Sequence, residues 1–334
     1  MRALLGVVFK DLPRYTRALW GPGQAYLALC NRYERLEAAP DGRGYRCAWQ
    51  WTSDLHAPKI LPRLGRTLMR RILADYPIEF GDAPKACAAP EVSFVIGHRG
   101  RERLPNLLLT LKSIAMQRAV RSECIVVEQA VAAEVGCKLP TWVRYHYAPV
   151  DQAMAYSRAQ AFNAGARLAR GKLLIFNDND LLVPIVYAER HLRLAELGFE
   201  VINLKRFIFY LSPADSRLAT AQAAIPPAPT PLSVMQNAQG GGSLAITRNA
   251  FQAIGGFDED FVGWGGEDNE FWERANTRRL YDFGYLPLVH LWHGDQPDKP
   301  LGRDAPAVKR YWQLQEQPIA ARIARLRQRG NGNG

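Results

Sequence analysis

Between Glu91 and Leu204, short apolar runs alternate with stretches of helical period, and few folds accept that order. Val92-Ser93-Phe94-Val95-Ile96-Gly97 has strand length and ends in glycine. From Leu104 to Met116, the residues Leu107, Leu108, Leu111 and Ile114 recur at helical spacing. The unit repeats with Cys124 to Val127 as a strand and a helix around Ala155 to Ala169. Lys172 to Phe176 is a strand that stops at Asn177-Asp178, Ile185 to Leu197 a helix, and Val201 to Leu204 a further strand. This alternation predicts an α/β fold, a mostly parallel sheet with helices on both faces. Ligands in such folds gather beyond the C-terminal ends of the strands, which points to Gly97 to Arg101, Glu128-Gln129, Asp178 to Asp180 and His290 to Asp295.

The flanks are less regular. Residues 1–88 read as a helical or irregular N-terminal extension, 89–298 as the α/β domain, and 299–334 as a basic helix from about Ala307 to Arg327 with a flexible tail. Between Ser212 and Gly242 the prolines and glycines predict a long, mobile surface excursion. Five scattered cysteines argue against a disulfide framework or a structural zinc site and fit a reducing cytoplasm. The first apolar run is interrupted by Lys10, Asp11 and Arg14, too early for a signal-peptide core, and no stretch approaches the roughly 18 to 20 apolar residues that cross a bilayer. The net charge of +11 then calls for an anionic partner: nucleic acid, a phospholipid surface or a sugar diphosphate. A solvated helix face accounts for part of it equally well.

Four constellations carry potential chemistry. Asp178-Asn179-Asp180 sets two carboxylates one residue apart where a buried strand ends; they can ligate a divalent cation and through it a diphosphate, or simply form an Asx-rich turn. Gly263-Trp264-Gly265-Gly266-Glu267-Asp268 lets backbone approach a ligand beside a flat apolar wall, with acids directly after. Helix capping explains the acids of that segment but not Gly-Trp-Gly-Gly. His290 and His293 reach one metal if their strand ends in a turn, and otherwise are packing residues. His98, Arg99 and Arg101 leave the first strand able to hold a uracil edge or a phosphate, or stand as exposed basic loop residues.

Taken in order, these segments resemble the β-1,4-galactosyltransferase type of GT-A glycosyltransferase, with its bacterial family 2-like relatives and the chondroitin and polypeptide N-acetylgalactosaminyltransferases. The resemblance runs from about Val92 to Asp298 and is sharpest from Gly255 to Asp268. It implies a Rossmann-like GT-A sheet that binds a nucleotide-diphospho-sugar. Phe94 to Arg101 looks like the first strand with its Arg-x-Arg nucleotide contact, although Gly97 stands where a proline is usual. Tyr156-Ser157-Arg158 resembles the segment whose aromatic ring packs on uracil, and Asp178-Asn179-Asp180 holds the place of the Asp-x-Asp motif. The resemblance implies Asp180 and His293 as metal ligands, Asp178 as a donor contact, Asp268 as catalytic base, and Glu267 with Trp264 on the acceptor side. His290 takes the position of a methionine ligand, which leaves the ion as Mn²⁺ first and Mg²⁺ second.

The roles so implied amount to an inverting displacement on a UDP-sugar, galactose or N-acetylgalactosamine, with a glycan or lipid-linked hydroxyl as acceptor in cell-surface polysaccharide synthesis. A segment from Gly294 to about Ala307 is expected to order as a lid. The basic segments, residues 1 to 20 and the C-terminal helix, would allow peripheral contact with the anionic inner face of a membrane. A basic nucleic-acid-binding protein or metal nuclease and an inactive sugar-binding module are the rival classes. No nucleic-acid motif accompanies the charge, so no nucleic-acid partner is expected.

Overall fold

The computed structural model describes residues 5–49, 52–84 and 89–331; Gln50, Trp51, Cys87 and the end of the tail lie outside them. Three short strands come first, β1 (Leu36–Ala38), β2 (Tyr45–Cys47) and β3 (Ser53–Asp54). The α/β region adds β4 (Val92–His98), β5 (Ser122–Ala130), β6 (Arg144–Pro149), β7 (Leu173–Asn177), β8 (Leu181–Leu182), β9 (Val201–Ile202), β10 (Lys205–Tyr210), β11 (Ser233–Gln236), β12 (Ser243–Thr247), β13 (Leu280–Tyr281) and β14 (Leu286–His290). A seven-stranded sheet runs β13-β9-β12-β7-β4-β5-β6. Its β4–β5, β4–β7, β5–β6 and β9–β13 pairs are parallel, and only β12 runs against its neighbours.

Alternation along each strand divides the core. Phe94, Ile96, Cys124, Val126, Leu173 and Ile175 face one side, together with Leu107, Leu111 and Ile114 of the helix Leu104–Ala115. Val95, Ile125, Val127, Leu174 and Phe176 face the other, against Phe162 of Arg158–Leu168, Phe251 of Arg248–Ala253 and Phe271 of Glu267–Ala275. A period of two in β-branched and aromatic residues therefore buries both faces, as the sequence pattern predicts.

A second, five-stranded sheet, β3-β11-β10-β14-β8, was not expected from the sequence. It is joined to the first where β7 ends and β8 begins, so Asp178, Asn179 and Asp180 form the step between two sheets. The expected mobile excursion is corrected here. Its residues form the helix Pro213–Gln222, capped by the Ser212 hydroxyl, and the strand β11, whose Val234 is fully buried. Prolines there end elements rather than prevent them.

The described residues that precede β4 pack on this second sheet. β3 pairs with β11, and the buried Arg206 of β10 donates to the carbonyls of Leu27 (2.7 Å) and Leu29 (2.6 Å). The single C-terminal helix expected from Ala307 to Arg327 is two, Pro306–Gln315 and Ile319–Asn331, because Pro318 lacks an N–H and disfavours helix in the residue before it. Four of their arginines are engaged: Arg310 and Arg325 reach Asp258 (2.9 and 2.7 Å), Arg329 reaches Asp260 (2.7 Å) and Arg322 reaches Glu273 (2.7 Å). Among the described residues, no helix is long and apolar enough to cross a membrane.

Candidate metal and donor site

β8 is only two residues long, but its antiparallel register sets Leu181 opposite His290. The N–H of Leu291 donates to the Asp180 carbonyl (2.8 Å), which ties the two chain segments together. β14 then ends, and the chain turns so that both histidines face one carboxylate. His290 Nε2 lies 3.5 Å from Asp180 Oδ1, and His293 Nε2 lies 3.3 Å from Oδ2. One ligand atom from each of Asp180, His290 and His293 falls within 4.8 Å of the other two. Tyr210, opposite His290 in the β10–β14 register, stacks on its ring at 4.3 Å and 20°. Burial holds His290 below the usual histidine range despite Asp180, which favours the neutral ring, one nitrogen of which has a lone pair for ligation.

Asp178 points elsewhere. Its Oδ1 accepts from Arg158 at 2.8 Å, and its N–H donates to the carbonyl of Gly242 (2.9 Å). Arg158 continues to Glu267 (3.4 Å) at the start of the helix Glu267–Ala275, so one guanidinium joins the Asp178 turn to the Glu267-Asp268 turn. Burial, reinforced by Asp180, raises the Asp178 carboxyl. Burial and then Asp268 raise Glu267, whose Oε2 is enclosed with no protein hydrogen-bond partner. Carboxyls raised by burial beside a shared arginine are the pattern of a candidate functional site.

Glycines decide how closely these pieces approach. A Cβ at Gly97 would lie 2.2 Å from the Tyr156 hydroxyl, so the departure from proline there is what lets Tyr156 pack on β4. Gly266 precedes the helix with φ 88°, a left-handed conformation that side chains resist, and no side chain caps that end. Asp268 lies in the first turn of that helix, where its Oδ1 accepts from the Asn269 N–H (2.9 Å), so helix capping accounts for one of its oxygens. Its carboxylate approaches Gly241, where a Cβ would stand 3.0 Å from Oδ2.

The remaining residues singled out in the sequence divide. Trp264 is half-buried beside this turn. His98 is fully buried beneath the cluster, where Asn179 donates to its Nδ1 (2.9 Å); it holds the middle residue of Asp-Asn-Asp and does not reach the cleft. Arg99 donates to the Met154 carbonyl (2.7 Å), and Arg101 extends outward to Glu134 (3.3 Å). The arginine that does reach the cluster is Arg103, which the sequence reading passed over: it lies 3.3 Å from Asp180 and 2.8 Å from His293. The series Arg99, Arg101, Arg103 was a visible signal, but the 3-10 turn Arg101–Arg103 aims its last member inward.

Lys205 was missed too. Buried in β10, it donates to the Gln239 (3.0 Å) and Ser243 carbonyls and so pins the Gly240–Gly242 turn beside Asp178 and Asp268; burial pulls its ammonium down to about 7. Part of the expected lid segment has regular structure. A 3-10 stretch, Lys299–Asp304, follows Asp298, whose carboxylate lies against Gly263 closely enough that a Cβ there would stand 2.1 Å away.

Comparison with known proteins finds a likeness over part of the chain. Residues 232–283 match the profile of a family described as the N-terminal domain of galactosyltransferase, a stretch that contains β12, Gly263 to Asp268 and the helix after them. No curated protein matches. Among solved structures, the catalytic domain of Drosophila beta-1,4-galactosyltransferase 7 with xylobiose is 17% identical, with a TM-score of 0.32 over 58% of this chain. A mutant of the same enzyme with manganese, UDP-Gal and xylobiose is 18% identical, with a TM-score of 0.35 over 58% of this chain. In each case the match spans 63% of the other chain. The matched segment supports a glycosyltransferase as the class of enzyme.

Proposed function

We propose that this protein is an inverting glycosyltransferase that moves galactose or N-acetylgalactosamine from a UDP-sugar to a hydroxyl of a glycan or lipid-linked acceptor, in the synthesis of a cell-surface polysaccharide. The observation that carries this reading is the junction itself. Asp180, His290 and His293 converge at the step between the sheets, and Arg158 ties that step to Glu267.

The donor set, one carboxylate oxygen and two imidazole nitrogens, fits a divalent cation of intermediate softness, which favours Mn²⁺ over Mg²⁺. When bound, the cation would neutralise charge growing on the departing diphosphate. The rest belongs to the chain. Asp178, held by Arg158, would orient the donor ribose or sugar. Tyr156 and Arg158 would face the nucleotide, with Arg99 and Arg101 at its approach.

Asp268, at the first turn of its helix beside Gly241, takes the proton from the acceptor hydroxyl as it attacks the anomeric carbon. Glu267 and Trp264 hold the acceptor, the ring as an apolar wall for a sugar face. The segment from Gly294 to about Ala307 would order over the donor once the metal binds and limit hydrolysis by water. Peripheral membrane contact, in a cytoplasmic enzyme, falls to the first helices rather than the C-terminal ones. Phe9 and Trp20 are 74% and 63% exposed, whereas the C-terminal Arg310, Arg322, Arg325 and Arg329 are paired with acids.

Incubation with a panel of UDP-sugars and Mn²⁺ tests the class and the donor together. Metal-dependent release of UDP from one or two sugars is expected, and an acceptor product with inverted anomeric configuration by NMR. Release independent of metal, or a retained configuration, would overturn the reading.

A further inference from the structure

His293 sits between two groups that want opposite things from the same nitrogen. Its Nδ1 lies 2.8 Å from Arg103 Nη2, a donor, and 2.5 Å from the Gly294 carbonyl, an acceptor. A neutral imidazole nitrogen serves one of them. If Nδ1 accepts from Arg103, the proton resides on Nε2, is donated to Asp180 Oδ2 at 3.3 Å, and leaves that nitrogen no lone pair for a cation. If Nδ1 donates to Gly294, Nε2 turns its lone pair toward the same space as Asp180 and His290, the usual carbonyl–histidine support of a ligand.

The Arg103 guanidinium also lies 3.3 Å from Asp180 Oδ2 and carries a charge it does not lose. It therefore competes with a dication on three counts: it uses a ligand oxygen, selects the wrong histidine tautomer and repels positive charge. Its side chain is 17% exposed, so on leaving Asp180 it needs another anion close by. A diphosphate beside the cluster is such an anion, with oxygens spaced for a planar fork of donors.

We propose that Arg103 is an internal cation that makes metal and diphosphate binding interdependent. A dication alone must displace the guanidinium with nothing to receive it, whereas a diphosphate arriving with the dication takes Arg103 over and frees Asp180 and His293. The inference rests on the metal-site reading above and adds a coupling to it. Because such coupling is reciprocal, each ligand tightens the other by the same factor.

The test is Mn²⁺ binding to the full chain, measured by electron paramagnetic resonance with and without saturating UDP, for the wild type, Arg103→Ala and Arg103→Gln. In the wild type, UDP should tighten Mn²⁺ by at least about tenfold, within the usual range of site-to-site coupling. Both variants should bind Mn²⁺ alone about tenfold more tightly and lose most of the UDP-dependent gain. Nitrogen chemical shifts of His293 should move toward the Nδ1–H tautomer in either variant without metal. Wild-type-like coupling, or weaker Mn²⁺ binding by both variants, would overturn the proposal and leave the metal site standing. Absence of Mn²⁺ binding to the wild type with UDP would overturn the metal site and the coupling with it.

Discussion

Glu267 and Glu270 stand three residues apart on one helix and are treated in opposite ways. Glu270 is fully buried and saturated: Arg274 donates to both of its oxygens at 2.6 to 3.0 Å, and Arg322 comes to 3.6 Å. Arg274 in turn donates to the carbonyls of Ile254 and Gly256, both at 2.6 Å. Glu267 has one arginine at 3.4 Å, shared with Asp178, and an oxygen with no partner. The same division separates Asp258, held by Arg310 and Arg325, from Asp180, which faces two imidazoles and a single arginine. Acids that arginines satisfy hold the C-terminal helices against the helix Glu267–Ala275; the acids of the junction are held by histidines and a shared arginine, with one Glu267 oxygen left open, where an outside cation, phosphate or hydroxyl can complete them.

Four substitutions can break or sharpen this contrast. The largest effect is expected on the unsatisfied side: Asp268→Asn should lower the transfer rate by about a thousandfold, the scale of a lost general base, with UDP affinity in Mn²⁺ unchanged by calorimetry. Near-normal turnover would remove the base. On the satisfied side, Glu270→Ala should cost about 3–5 kcal/mol in urea unfolding, because it strands the buried Arg274. Donor KM of the folded fraction should not move; if it does, Glu270 is no mere framework residue.

Asp180→Ala comes next, with Mn²⁺-dependent UDP affinity falling by about a hundredfold, the upper end of losses seen when a metal site is damaged. Unchanged affinity in excess Mn²⁺ would end its role as ligand. The smallest effect concerns pH. Glu267 is raised in the folded protein, so its contribution to stability is present below its ordinary value of 4.5 and is lost as pH rises toward the folded one. Glu267→Gln should flatten the decline of Tm above that value. Asp258 behaves oppositely: its burial is outweighed by Arg325 and Arg310, its pKa is lowered, and its contribution disappears as pH falls below the ordinary carboxylate range. An unaltered Tm profile in Glu267→Gln would show that Glu267 is satisfied after all.

Much of the main sheet was legible because both of its faces are buried, and a strand buried on both faces writes itself as an unbroken apolar run such as Leu173 to Phe176. The second sheet was not legible. β8 has two residues, β3 two and β11 four, and their pairing partners lie far away in sequence. Strands that short leave no period to count. At the site, Asp178, Asp180, Glu267, Asp268 and the histidine pair stood out by residue type at strand and helix ends. Arg103 and Lys205 did not, since a cation in a basic chain carries no mark until its neighbours are known.

By itself, then, the sequence determined the local matters: which runs become buried strands, where they stop, and that acids and histidines stand at those stops. Only the tertiary structure decided which of these meet. Asp180 reaches His290 and His293 because a two-residue strand pairs with β14, and Asp178 reaches Glu267 through one arginine. Which acids are spent on arginine and which are left open depends on where the C-terminal helices dock. Docking is a sum of long-range contacts, each weak in isolation, that no short window of residues records.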